Sequence, residues 1–185
     1  KAKWLKEFFD VQLIVTNLAS PSFTFKHGKA SLADLPAGLS LAPTATPQLL
    51  VQEMPDIPGK SSKSVHWIVR GDVEGFYTLG AQYTGTLEPF GKALLLNAST
   101  KPDAIHVWGG SAIQMIVDTD DQATMGYPYR VRVGLQNVAD VPVYNPAVEL
   151  LESGKINFIY QPKERLTQGT AVIQPGTTFW TDYYR

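Results

Sequence analysis

Three groups of residues in this 185-residue chain have the types and spacing to do chemistry. Arg70-Gly71-Asp72 puts a guanidinium and a carboxylate on either side of a glycine, the tripeptide by which adhesins and matrix proteins bind integrins. It falls in a turn between two strand patterns, where Gly71 can equally supply an unusual backbone dihedral and Asp72 can bond turn amides. Asp118, Asp120 and Asp121 gather three carboxylates within four residues. Hard oxygen ligands at that density can hold Ca²⁺ at a junction between modules, although the Gly and distal Glu of an EF-hand are missing; the alternative is a solvated acidic loop. Trp180 and Tyr184 lie on one side of an alternating pattern, so their rings suit a platform for a sugar or for a neighbouring module.

Catalytic patterns are missing. His27, His66 and His106 stand at no metal spacing to one another. No Gly-x-Ser-x-Gly elbow accompanies them, and Gly109-Gly110-Ser111 leads into a strand rather than the helix a phosphate cradle requires. A carboxylate pair for glycoside hydrolysis converges only in a fold, and a small β-sandwich with short loops offers little concave surface for one. The chain is expected to be no enzyme and to use no cofactor, with Ca²⁺ at the three aspartates its one metal candidate.

The elements that must position these groups are strands. Apolar residues recur at every second position, and no stretch keeps an amphipathic helical pattern beyond two turns. Strands are expected around Val11–Thr16, Phe23–Phe25 and Gly28–Leu32. The Pro-rich stretch from Ala33 to Pro47 should cross from one sheet to the other. Leu49–Met54, Ser64–Arg70, Phe76–Thr86 and Lys92–Ala98 follow, with Ser64–Arg70 and Phe76–Thr86 paired antiparallel and Trp67 in the core. The pattern then repeats. Asp10 to Ala19 is echoed by Tyr129 to Ala139, and Ile57-Pro58-Gly59 before Trp67 by Ile173-Gln174-Pro175-Gly176 before Trp180.

Two copies of one β-rich unit explain that echo. The boundary is placed in the turn-rich Ser99–Asp103, giving units 1–103 and 104–185. The second unit is expected to hold Ile105–Trp108, Ala112–Val117, Tyr127–Asn137, Val141–Leu151, Lys155–Tyr160, Thr170–Ile173 and Thr178–Tyr184, seven short runs typical of an immunoglobulin-like sandwich. Little chain follows Trp180, so either that unit is truncated at its C-terminus or Ile105–Val117 fills the missing place. The fold class is all-β, as two tandem immunoglobulin-like antiparallel β-sandwiches.

Composition narrows the partners. A net charge of −1 with 18% charged residues leaves no electrostatic footprint for nucleic acid. No apolar run approaches the roughly 20 residues of a membrane-spanning helix, so membrane insertion is not expected. The absence of cysteine rules out a disulfide framework and cysteine-based metal sites. A start at Lys1, without Met or signal peptide, fits a piece excised from a longer chain.

The order Val-x-Leu-x-Val-x-Asn, then Leu35-Pro36-Ala37-Gly38-Leu39-Ser40-Leu41, then Ile57-Pro58-Gly59 before Trp67, then Gly75 to Tyr83 resembles the CARDB and NEW-type immunoglobulin-like modules of large exported bacterial and archaeal proteins. The resemblance covers most of residues 8–98 and, more loosely, 128–184. It implies a non-catalytic structural or adhesive spacer in a bacterial cell-surface or secreted protein, set among neighbouring domains of the same parent chain. Two alternatives stay open. One is a ligand-binding module, taking carbohydrate on Trp180 and Tyr184 or a host receptor through Arg70, Gly71 and Asp72; the other is an accessory domain of an extracellular hydrolase.

Overall fold

Alternation along Phe8–Asn17 sends Phe9, Leu13 and Val15 inward and Asp10, Ile14 and Thr16 outward, which makes this stretch one face of a sandwich. The computed structural model describes residues 2–33, 35–148 and 172–185. The chain divides into two units, 1–108 and 109–185.

The first unit runs β1 (Ala2–Trp4), β2 (Phe8–Asn17), β3 (Thr24–Leu32), β4 (Leu39–Leu41), β5 (Val51–Met54), β6 (Ile57–Pro58), β7 (Ser61–Gly71), β8 (Gly75–Tyr77), β9 (Gly80–Glu88), β10 (Lys92–Ser99) and β11 (Ile105–Trp108). Its sheets are β2-β7-β4, β10-β9-β3-β5 with β6 alongside β3, and β1-β11-β8. All pairings are antiparallel except β1 with β11. Residues of all three sheets meet in one core: Leu13, Val65 and Trp67 from the first, Ala30, Leu32 and Tyr83 from the second, Val107 and Tyr77 from the third. Trp67 is fully buried, and its indole N–H donates to the Leu49 carbonyl at 3.0 Å, the partner a buried indole needs. The Pro-rich connection does cross over, contributing β4 to the sheet of β7 before β5 returns to that of β3.

Two expectations are corrected here. Ser64–Arg70 and Phe76–Thr86 do not pair: β7 lies between β2 and β4, whereas β9 lies between β3 and β10. The second stretch breaks at Thr78-Leu79, because buried Leu79 fills the core and its N–H bonds the Thr100 hydroxyl at 2.9 Å, carrying the chain from one sheet into another. Ile105–Trp108 also changes owner. As β11 it is the centre of the β1-β11-β8 sheet, with Ile105 and Val107 in the first core, so the first unit extends past residue 103 to Trp108.

The second unit has a 3₁₀ turn at Gly110–Ala112, then β12 (Ile113–Thr119), β13 (Val131–Asn137), β14 (Val143–Tyr144), β15 (Val172–Ile173) and β16 (Thr178–Trp180). They form the antiparallel sheets β12-β13-β16 and β14-β15. Val133, Leu135 and Ile173 centre the core, with Ile113, Val143, Val148 and Phe179 against them. The expected Lys155–Tyr160 strand, the end of Val141–Leu151 and the start of Thr170–Ile173 lie outside the described residues. The fold is all-β, built of mainly antiparallel sheets of β-sandwich kind, and no helix of the described residues is long and apolar enough to cross a membrane.

The internal echo has a physical origin in two buried asparagines. Asn17 and Asn137 end β2 and β13 and are fully buried. Asn17 Nδ2 donates to the carbonyls of Phe23 (3.1 Å) and Ile57 (3.0 Å), while its Oδ1 accepts from Ala19 N–H (3.0 Å). Asn137 repeats the set on Val141 (2.8 Å), Ile173 (2.9 Å) and Ala139 (2.9 Å). The Asn backbone carbonyl also receives an N–H from the Pro-Gly turn, Lys60 in one unit and Gly176 in the other. A short side chain with two amide donors and an acceptor meets this demand at both strand ends, so Asn recurs in the echo, and the Ile that supplies a carbonyl to it is buried in each unit.

Candidate functional site

Arg70-Gly71-Asp72 closes on itself and on its neighbours. Arg70 and Gly71 are the last residues of β7, so only Asp72 enters the turn. Asp72 Oδ1 accepts from Arg70 Nε (2.8 Å) and Lys6 Nζ (3.0 Å), and Oδ2 from the Ser40 hydroxyl (2.5 Å). These donors, Ser40 foremost and then Lys6, hold the carboxyl at about 2, below its ordinary 3.8. Backbone bonds continue the attachment: Asp72 N–H to the Gly38 carbonyl (2.7 Å) and Lys6 N–H to that of Gly71 (2.7 Å). Gly71 is glycine because a Cβ there would stand 2.8 Å from a Val107 methyl. An adhesive tripeptide holds guanidinium and carboxylate apart and available. Here they bond each other, and the triplet is a clasp fastening the β1–β2 turn, β4 and β7.

The two candidates of the second unit merge into one cluster on the β12-β13-β16 sheet. Asp118 lies opposite Arg132 in register and accepts from its Nε at 2.6 Å. Asp120 accepts from the Arg130 backbone N–H (2.9 Å) and from Nη2 (3.0 Å) of the same residue; the backbone bond, then the guanidinium, lowers its carboxyl below the ordinary range. Asp121 is exposed. Each of the first two carboxylates therefore faces its own arginine, and no group of three His, Cys, Asp or Glu among the described residues is gathered to hold a metal. The Ca²⁺ arrangement expected of Asp118, Asp120 and Asp121 is not formed.

The same arginines reach the aromatic side chains of the last strand. The Arg132 guanidinium lies 4.4 Å from the centre of the Trp180 ring and 5.0 Å from that of Tyr183, and Arg130 lies 5.1 Å from Tyr183. The Trp180 ring rests on Gly134, its register partner, where a Cβ would meet it at 2.9 Å. Trp180 is 36% exposed, but Tyr184 is 5% exposed, and burial pushes its phenol up. The expected Trp180–Tyr184 platform is thus corrected. β16 pairs regularly from Thr178 to Trp180, but Val131 bridges Tyr184, one residue beyond regular register, and the Thr181 hydroxyl accepts the Val133 N–H at 3.0 Å. That extra residue is a bulge; it reverses the alternation, turning Tyr184 inward and leaving Tyr183 by the arginines.

Two features escaped the sequence reading. On the β1-β11-β8 sheet, Phe76, 73% exposed, stacks on His106 at 3.8 Å between ring centres, and His106 lies 3.6 Å from Trp108. His106 and Trp108 share one face of β11, and the β8–β11 pairing sets Phe76 opposite His106. The first unit also has a cleft of about 590 Å³ with Phe9, Val11, Leu79 and Ile105 inside and Lys3, Asp10, Lys101 and Asp103 along it, more concavity than a small sandwich was expected to offer. Asp10 is committed to His66 (2.9 Å to Nδ1), whose Nε2 lies 3.2 Å from the Gln12 amide, so this acid–imidazole pair ends on an amide rather than a nucleophile. No model of a known protein family matches the chain, and no curated protein matches it.

Proposed function

We propose that the chain is a non-catalytic structural or adhesive spacer segment of a larger bacterial cell-surface or secreted protein, made of two immunoglobulin-like modules of the CARDB/NEW kind. The observation that carries this reading is the shared hydrogen-bond set of Asn17 and Asn137, a device that fixes the path of the backbone in both units. The polar groups with chemical promise support it by being spent on one another: Asp72 on Arg70, Lys6 and Ser40, Asp118 on Arg132, Asp120 on Arg130. A module of this type sets the position of whatever binds or reacts elsewhere in its parent chain. The test is attachment of cells and of integrin ectodomains to the immobilised chain. Attachment is expected to be no different for wild type and Asp72→Glu; attachment abolished by Asp72→Glu alone, with the fold intact by circular dichroism, would overturn the reading in favour of receptor binding.

A second reading, carbohydrate binding, is favoured by the Phe76–His106–Trp108 column rather than by Trp180, because the Phe76 ring is three-quarters exposed and its neighbours hold it in place. Glycan-array binding by wild type that disappears in Phe76→Ala and persists in Trp180→Ala would establish it.

A further inference from the structure

The outer edge of β10 is regular and, after Lys92 at its start, uncharged, an edge of a kind that soluble proteins ordinarily guard. β10 pairs with β9 over eight consecutive residues without a bulge, and among the described residues no strand pairs with its other side. From Ala93 to Thr100 there is no charge and no proline, so two of the usual guards against edge pairing are missing. The outer face of β9 is polar, with Gln82, Thr84 and Thr86, yet β10 sets Leu95 beside Thr84, 59% exposed. On the inner face, Leu94 and Leu96 continue the row of Tyr83 and Gly85, and Leu96 is 41% exposed.

We propose that β10 pairs antiparallel with β10 of a second copy of the chain, joining two five-stranded sheets into one continuous sheet. The choice of occupant comes from the strand's own pattern. A two-fold axis perpendicular to the sheet pairs residues that share a face, so one residue must lie opposite its own mate. With Leu95 on that axis, Leu95 meets Leu95 outside, and Leu94 meets Leu96 twice inside. Centring on Leu94 would instead set Lys92 against Leu96, and centring on Leu96 would set Leu94 against Ala98. Only the Leu95 centre matches all three leucines with leucines, and it places each Lys92 opposite Ala98 with no like charges in contact. Exposed leucines on both faces are then explained together, because each face gains its neighbour from the partner.

The chain contains no cysteine, so single cysteines report the register. In the Leu95 register, Cβ atoms of Leu95→Cys approach to about 5 Å, near disulfide range, whereas those of Ala93→Cys lie four residues apart along the strands. Mild oxidation is expected to cross-link Leu95→Cys into a covalent dimer and to leave Ala93→Cys without a covalent cross-link, as read on a non-reducing denaturing gel. Sedimentation equilibrium should show a wild-type dimer whose dissociation constant rises tenfold or more in Leu95→Lys, with unchanged circular dichroism since the site is solvent-facing. A wild-type chain that stays monomeric, a Leu95→Lys chain that dimerises as well as wild type, or equal cross-linking of the two cysteine variants would each overturn the proposal.

Discussion

Asn17 and Asn137 are the residues on which each unit's geometry turns. Asn17→Asp leaves two buried carbonyls without donors and sets a carboxyl against them, so it should cost about 3 kcal/mol, read as a lowered denaturation midpoint. Asn137→Asp should act on the second unit in the same way. Tyr83 presents the opposite case. Its hydroxyl is buried without a hydrogen-bond partner, in space left by Gly28 and Gly85, and burial is the main cause that pushes its phenol up. Tyr83→Phe should therefore leave stability unchanged or raise it by about 1 kcal/mol; a clear loss would show that the hydroxyl has a role the geometry does not reveal. For Asp72 the sign follows from its lowered carboxyl. Folding makes the group more acidic, so the clasp contributes fully above the ordinary value of 3.8 and its contribution is lost as pH falls through about 2. Denaturation midpoints should fall over that window in wild type and fall less in Asp72→Asn.

At the level of strands and turns, the two glycines of the echo occupy different positions of their turns, since Gly176 matches Lys60 (φ +63°) in bonding the Asn carbonyl. A Cβ on Gly59 would overlap the Ser20 carbonyl, whereas Gly176 has open space around it but a φ of +73°. Gly59→Ala should cost about 2–3 kcal/mol by overpacking against backbone, and Gly176→Ala about 1 kcal/mol from the left-handed conformation alone. Urea titration of the two variants compares them directly. Much of this scale was legible in the sequence: alternation found β2 and β7, the apolar run at Lys92–Ala98 lies in β10, and the Asn–Pro-Gly echo found two turns built alike. What alternation cannot register is a break or an added residue. Leu79 moved the chain between sheets, the bulge before Tyr184 inverted a face, and the fates of Arg70, Asp118 and Asp120 depended on cross-strand partners that no local pattern specifies.

For the whole molecule, the sequence reading separated the units at the turn-rich stretch, but composition marks a turn and not which core the next strand joins. Ile105 and Val107 fill the first core, so fragment 1–108 should fold with a cooperative melting transition, while 1–103, lacking β11 and with β1 and β8 stripped of their pairing partner, should not. Comparable melting of both fragments would show β11 to be dispensable. The parallel contact of β1 with β11 has a consequence of another kind. Ala2, Lys3 and Trp4 pair with His106, Val107 and Trp108, and Leu5 N–H adds a bond to the Trp108 carbonyl at 2.7 Å. Tension applied through the two ends of this unit pulls parallel neighbours in opposite directions along their own axes. Their hydrogen bonds are then loaded in shear, all at once, instead of being unzipped singly, so the short first strand serves as a latch against stretching.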